Sequence, residues 1–285
     1  MSMDAIACRY AAAVQTNGHR VEMITKDNIK TMLIPLYQYW VKKLGIKNGP
    51  QHIYYFRDGV SEGQFEHVIN QEIKDMKAAL LKEFGTVTTG TRWTVTVCTK
   101  RHHLRFFPKD NDMSAGDKNG NALPGTLVER DITHPFEYDF YLSSHSAIQG
   151  TARPVHYQVI MDEAKVPVND FQRMVYQHCY QYMRSTTPVS LYPAVYYAHL
   201  ASNRARAHEA HGHSEGPRGG EKFLEKVYEA AAKKVATGQS VPASSETGSS
   251  NLVQDVPLLP LGKLDESERV QQVDLDKIRQ GMWYI

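Results

Sequence analysis

The chain is poor in the features that would place it in an oxidising compartment or across a bilayer. Its 285 residues include three cysteines, Cys8, Cys98 and Cys179, odd in number and far apart. That spacing excludes a disulfide framework and a Cys-x-x-Cys zinc site, and it fits a reducing compartment. No apolar run approaches the ~20 residues a membrane helix needs, and mean hydropathy is −0.47. Met1-Ser2-Met3-Asp4 has neither the basic start nor the apolar stretch of a secretory signal. The expected location is therefore the cytoplasm, with the nucleus as the alternative, and no membrane partner is expected. A strong charge imbalance is lacking too. The chain has 33 Lys and Arg against 31 Asp and Glu, a net of +2. Total charge therefore does not announce a nucleic-acid ligand, and any such role must lie in how the charge is distributed. With 41% apolar and 22% charged residues the chain is not globally disordered. At this length it can bury about three quarters of its surface.

What is present reads as an α/β domain. Asn17-Gly18 between two short runs signals a hairpin, with arms Arg9 to Thr16 and Arg20 to Ile24. From Lys26 to Leu44 the apolar residues Ile29, Leu33, Leu36, Tyr37, Trp40 and Leu44 recur at helical spacing, and Pro35 should kink or break that helix. His52 to Arg57 is an apolar, aromatic strand. Ser61 and Gln64 then form a capping box for a helix burying Phe65, Val68, Ile69, Ile73, Met76 and Leu80. Thr91 to Thr99 alternates as a strand, and Pro108 to Pro124 is a polar loop. Further strands are expected at Gly125–Ile132, Tyr138–Leu142 and Val155–Met161, and helices at Asn169–Met183 and Pro193–Ala210. Beyond His211–Gly220, a loop, Glu221–Ala236 and Ser267–Gly281 read as helical. Thr237–Ser250, rich in Gly, Ser and Thr, reads as a disordered insertion. The apolar end Met282-Trp283-Tyr284-Ile285 is expected to tuck into the body. Strands interleaved with helices, plus one hairpin, imply a mixed sheet flanked by helices.

Several residues could carry chemistry. Asp58 follows a strand and precedes a helix, where ligands sit in open α/β sheets. A carboxylate there suits Mg²⁺, which takes hard oxygen ligands; equally, Asp58-Gly59 is a common turn pair. Glu22 stands among apolar neighbours and reads locally as a solvent-facing strand residue. His199, beside Tyr196 and Tyr197, could be a hydrogen-bonded core residue or a metal ligand. The stretch from Gln172 to His208 has no Asp or Glu but four Arg, three His and six Tyr. Basic residues interleaved with aromatics are the footprint of a nucleic-acid backbone site, although a solvated basic face would look the same. Lys100-Arg101-His102-His103, with Arg105, closes a strand and fits phosphate contact or an ordinary exposed strand end. His208, His211 and His213 lack a fourth ligand at zinc spacing.

Taken together these blocks resemble the Piwi domain of eukaryotic Argonaute proteins. The runs that carry the resemblance are Tyr54-Tyr55-Phe56-Arg57-Asp58-Gly59-Val60-Ser61-Glu62-Gly63-Gln64-Phe65, Lys100-Arg101-His102-His103 and Pro124-Gly125-Thr126. They continue through Ile132-Thr133-His134-Pro135, Asp139-Phe140-Tyr141-Leu142, His145 to Pro154, and Tyr196-Tyr197-Ala198-His199-Leu200 with Arg204-Ala205-Arg206. Their order and spacing match from Ser2 to His208, and the C-terminal tail matches as well. The resemblance implies an RNase H-like fold that cleaves target RNA paired to a small guide RNA, using two Mg²⁺ or Mn²⁺ ions. It implies metal ligation by Asp58 and His199, with Glu22 completing the catalytic set. It places Lys100, Arg101, His145, Ile148, Gln149, Arg153, Arg184, Ser190 and Tyr196 along the guide. Arg204, with Arg206 nearby, and the carboxylate of Ile285 would lie near the guide 5′-phosphate. Such contacts position the duplex, while base pairing reads the sequence.

One departure matters. The first catalytic Asp of the family belongs to a strand upstream of the Ser2-Met3-Asp4 match. Ile132-Thr133-His134-Pro135 only echoes its motif, and Asp131 is not its equivalent. The expectation is a Piwi domain over 1–285, incomplete at its N-terminal side and without Mid, PAZ and N domains, whose intact parent is a metal-dependent RNA endonuclease. The alternative is a non-catalytic module that binds guide RNA, with Trp-containing silencing proteins as further partners.

Overall fold

The computed structural model describes residues 1–4, 6–15, 23–45, 49–109, 114–209 and 281–285, with backbone alone for 206–209. The Asn17-Gly18 turn, Glu22, the His211–His213 tract and the expected elements between 211 and 280 lie outside the described residues.

Helix α1, Lys26–Leu44, starts where Thr25 Oγ1 accepts the N–H of Asn28 and ends at Gly45, whose φ of 63° is left-handed. Pro35 does not break it. Its ring lies on the exposed face, where water can take the carbonyl it leaves unbonded. Strand β1, His52–Asp58, leads into a helical run of changing pitch. A 3₁₀ turn at Glu62–Gln64 is followed by α2 (Phe65–His67), a π turn at Val68–Ile73 and α3 (Lys74–Phe84). The capping residue acts as expected, Ser61 N–H donating to Gln64 Oε1 at 3.2 Å. The buried side of this run holds Val68, Ile73, Met76 and Leu80. Ile69 is only half-buried, and Glu72 and Asp75 are buried beside the apolar residues.

Strands β2 (Arg92–Thr99), β3 (Thr126–Val128), β4 (Tyr138–Ser143) and β5 (Val155–Asp162) complete a sheet of order β1-β2-β5-β4-β3. β1 and β2 run parallel and the other pairs antiparallel. β3 is shorter than the pattern Gly125–Ile132 predicts. The chain leaves the ladder after Val128 and turns at Asp131, a non-glycine residue with φ of 69°. Helix α4, Val168–His178, stops short of the expected Met183, because the chain folds back until Val189 N–H reaches Cys179 O at 2.9 Å. Helix α5, Pro193–Glu209, opens with proline, whose missing N–H is no loss in a first turn.

Alternation on β2 distributes the core. Trp93, Val95 and Val97 point into one cluster with Ile29, Tyr37 and Leu80 of α1 and α3. Cys98 lies in the other, with Phe140, Tyr157, Phe171 and Val195. Helices therefore cover both faces, and β1 and β2 present their C-terminal ends together. Tyr10 forms an isolated antiparallel bridge to Ser2, closed by Asp4, which accepts the N–H groups of Cys8 and Arg9. At the other end Tyr284 is buried against Tyr10 and Tyr197, as expected of an apolar tail.

Candidate functional site

Two of the residues singled out from sequence meet at the C-terminal end of β1. Asp58, paired in register with Cys98, is followed by Gly59, whose φ of 70° lets the chain turn away. Oδ1 accepts the N–H of the next residue, Gly59, at 2.8 Å, and Oδ2 lies 2.7 Å from Nε2 of His199 on α5. The two side chains are 32% and 50% exposed, so the pair faces solvent. Burial raises the pKa of Asp58, but the hydrogen bond and charge of His199, the Gly59 N–H and Arg57 outweigh it and hold the carboxyl below its ordinary value.

Arg57, the residue before Asp58, is held by a side chain that no motif announced. Glu72 is fully buried. It accepts Arg57 Nε at 3.2 Å through Oε2 and the other guanidinium branch at 3.2 Å through Oε1, and it also takes the hydroxyl of Tyr55. Oε1 further accepts the N–H of Ile24 at 3.1 Å, two residues after Glu22. Arg57 donates in turn to the carbonyl of Asp58 at 2.7 Å. One buried carboxylate thus ties the strand that carries Asp58 to the segment that follows Glu22. A helical charge at this depth has little sequence signature; only its buried-face spacing with Val68 and Met76 hinted at it.

Asp58 and His199 supply the oxygen and nitrogen donors a divalent cation accepts. Among the described residues no third His, Cys, Asp or Glu joins them, so these two do not by themselves make a metal centre. Glu22 lies outside the described residues.

The expected phosphate contacts divide into two kinds. Lys100, Ser190 and Tyr196 form one connected chain, Lys100 Nζ donating to Ser190 Oγ at 2.6 Å and Ser190 Oγ lying 2.9 Å from Tyr196 Oη. The pKa of His145 is pushed down to about 4 by burial and by the charge of Lys100, so its ring is neutral at physiological pH. Its Nδ1 is buried with no hydrogen-bond partner among the described residues. A neutral ring can give a phosphate a hydrogen bond but no charge. Ile148, Gln149 and Arg153 share one loop and are exposed, Ile148 completely. Arg101, Arg184 and Arg204 are exposed as well, Ile285 is 48% exposed, and the side chain of Arg206 is outside the description. In the Lys100–His103 run, His102 turns inward to the carbonyl of Pro154 at 2.8 Å and so serves the fold.

A mixed sheet covered by helices on both faces, with an Asp at the end of β1 and a His on the covering helix, is the architecture of an RNase H-like domain. The chain belongs to the Piwi domain family, whose sequence profile matches residues 1–209. It is 45% identical over 207 residues to Protein argonaute of Schizosaccharomyces pombe, covering 72% of this chain and 24% of that protein. It is 43% identical over 205 residues to Protein argonaute 2 of Oryza sativa subsp. japonica, covering 72% of this chain and 19% of that protein. The chain thus spans a quarter or less of the length of these curated relatives. The C-terminal lobe of a budding yeast Argonaute matches all of this chain and 49% of that one, with a TM-score of 0.69 at 27% identity. Kluyveromyces polysporus Argonaute with a guide RNA matches all of this chain and 29% of that one, with a TM-score of 0.70 at 27% identity. Among the described residues no helix is long and apolar enough to cross a membrane.

Proposed function

We propose that this chain is the RNA-handling and cleavage domain of a small-RNA-guided silencing nuclease. The observation that carries this reading is the meeting of Asp58 and His199 at the open end of β1 in a Piwi-family domain. Guide RNA, paired to a complementary target, would lie along Lys100, Ser190, Tyr196 and the Ile148–Arg153 loop, with Arg204 and Arg206 toward its 5′-phosphate. The known Argonaute structure with a guide RNA supports this as a ligand class.

Asp58 and His199 would hold Mg²⁺ or Mn²⁺ together with Glu22 and a further carboxylate. Bound there, two such ions supply an activated water and neutralise the charge developing on the leaving oxygen. The residues of the chain prepare that state. Asp58 stays ionised because its pKa is held down, and Arg57 fixes the carbonyl behind it. His199 Nε2 lies 2.7 Å from Asp58 Oδ2, so the two side chains would offer a nitrogen and an oxygen donor to the same ion. The cytoplasm is the proposed site of action.

The test is a cleavage assay in the intact protein that carries this chain, with a matched guide, a labelled target RNA, and Mg²⁺ added or chelated. Cleavage at one position, lost with chelator and in Asp58→Ala while guide binding persists, supports the reading. Guide binding without cleavage under every metal condition would make this a non-catalytic guide-binding module.

A further inference from the structure

The polar segment between Pro108 and Pro124 ends in a side chain buried unusually deeply for its type. Asn121 is 1% exposed. A small closed turn presents it. Asp117 Oδ1 accepts the N–H groups of Asn119 and Asn121, each at 2.8 Å, and Asp117 N–H donates to Asn121 O at 2.8 Å. Gly120, with φ of 76°, completes the reversal. From this turn Asn121 reaches across to the loop between β4 and β5. Its Nδ2 donates to Gly150 O at 3.0 Å and, with its second hydrogen, to Asp117 Oδ2 at 3.3 Å. Its Oδ1 accepts the N–H of Ala152 at 2.8 Å. Asn119 adds a bond from Nδ2 to Ala147 O at 3.3 Å. Among the described residues, positions 145–153 make no backbone–backbone hydrogen bond with one another. The shape of this loop is therefore imposed from outside, by Asn121 and Asn119 at three backbone positions.

We propose that Asn121 is a positioning residue for RNA binding: it holds Gly150 and Ala152 so that Ile148, Gln149 and Arg153 face the RNA in one arrangement. The proposal rests on the guide-RNA reading above and deepens it. A contact loop ordered in advance loses less freedom when the ligand arrives. Asn121→Asp keeps the acceptor for Ala152. It removes the donor to Gly150 O and sets a carboxylate against that carbonyl and Asp117.

The test uses the full 285-residue chain and fluorescence anisotropy with a short 5′-phosphorylated RNA, single-stranded and annealed to its complement. Asn121→Asp and Asn121→Leu are expected to weaken binding by about tenfold. Combined with Gln149→Ala, the loss should be less than the product of the single losses. Combined with Arg204→Ala, on another element, it should equal the product. Amide exchange at Ala152 should quicken in both Asn121 variants. Gly150→Ala is the independent check. Its new methyl group meets nothing within 4 Å, but a φ of 71° is strained for alanine, so it disturbs the loop while leaving Asn121 in place. It should weaken binding with little change in melting temperature. Unchanged affinity in folded Asn121 variants, or a full product with Gln149→Ala, overturns the proposal. If the Asn121 variants do not fold, undiminished affinity of Gly150→Ala overturns it. A wild-type chain that binds neither RNA sinks the RNA-binding reading itself, and the proposal with it.

Discussion

The two ends of β1 carry the same residue types in opposite circumstances. At the N-terminal end, His52 Nε2 lies 2.8 Å from the hydroxyl of Thr94, which donates to Asp162 Oδ1 at 2.8 Å. Asp162 is further engaged by the N–H groups of Ala164 and Val166, and Thr94 is 1% exposed. This His–Thr–Asp chain ties β1, β2 and β5 together, and its carboxylate already accepts three protein donors. At the C-terminal end, Asp58 and His199 hold each other across 141 residues of sequence, facing solvent. A His and an Asp within reach are thus a joint in one place and a candidate site in the other. What separates them is how many protein donors already saturate the carboxylate, and which end of a parallel strand pair it occupies.

That contrast can be broken by substitution, beginning with the largest effect. Asp58→Ala in the intact protein should lower target cleavage by at least about 10³-fold, the scale on which essential reacting groups act. Stability should change by about 1 kcal/mol or less, since the pair is exposed; a chemical denaturation curve beside the cleavage assay reads both. Glu72→Ala should do the reverse in kind. It takes the carboxylate away from the buried Arg57 guanidinium and should cost about 3–5 kcal/mol in urea unfolding. A double replacement of Arg57 and Glu72 by apolar residues should recover much of that loss. Asp162→Asn, at the saturated end, should cost about 1–3 kcal/mol and leave RNA affinity unchanged. A loss of RNA affinity there would erase the distinction between the two ends.

The smallest expected effect is a pH slope. In the folded state the pKa of His145 falls from 6.5 to about 4, because burial and then Lys100 disfavour its charged form. Below pH 6.5 the unfolded chain takes up a proton that the folded chain refuses until about pH 4. Stability attributable to this group is therefore unaffected above that window and falls as pH drops through it. His52, His102 and His178 shift in the same direction, chiefly through burial, and steepen the same slope. His145→Gln should make the melting temperature fall less with acidification than in the wild type. An identical fall in both would mean that the ring is solvated.

Much of the architecture was legible residue by residue. The 3.6-residue period over Lys26–Leu44, the alternation of Trp93, Val95 and Val97, and the Ser61–Gln64 cap are local patterns, and each produces its element where expected. Pro35 does not break α1 because its ring lies on the exposed face, where water can take the carbonyl left unbonded. The end of β3 at Val128 and of α4 at His178 was not legible because both are set by where the following chain finds partners. At the candidate site, Asp58 was visible from its place after an apolar strand. The chain Lys100–Ser190–Tyr196 and the lock of Asn121 on Gly150 and Ala152 join residues far apart in sequence, and no periodicity records such pairs.

By itself the sequence determined the local elements, the acidic residue at the end of β1 and the basic, aromatic stretch leading into α5. These depend on spacing, capping and composition within a few residues. Only the tertiary structure decided that α5 delivers His199 to Asp58, that Glu72 is buried against Arg57 and Tyr55, and that a polar loop fixes the shape of the Ile148–Arg153 segment. Those are matters of which distant groups satisfy one another's hydrogen bonds once the sheet has ordered its strands, and burial sets the strength of each one.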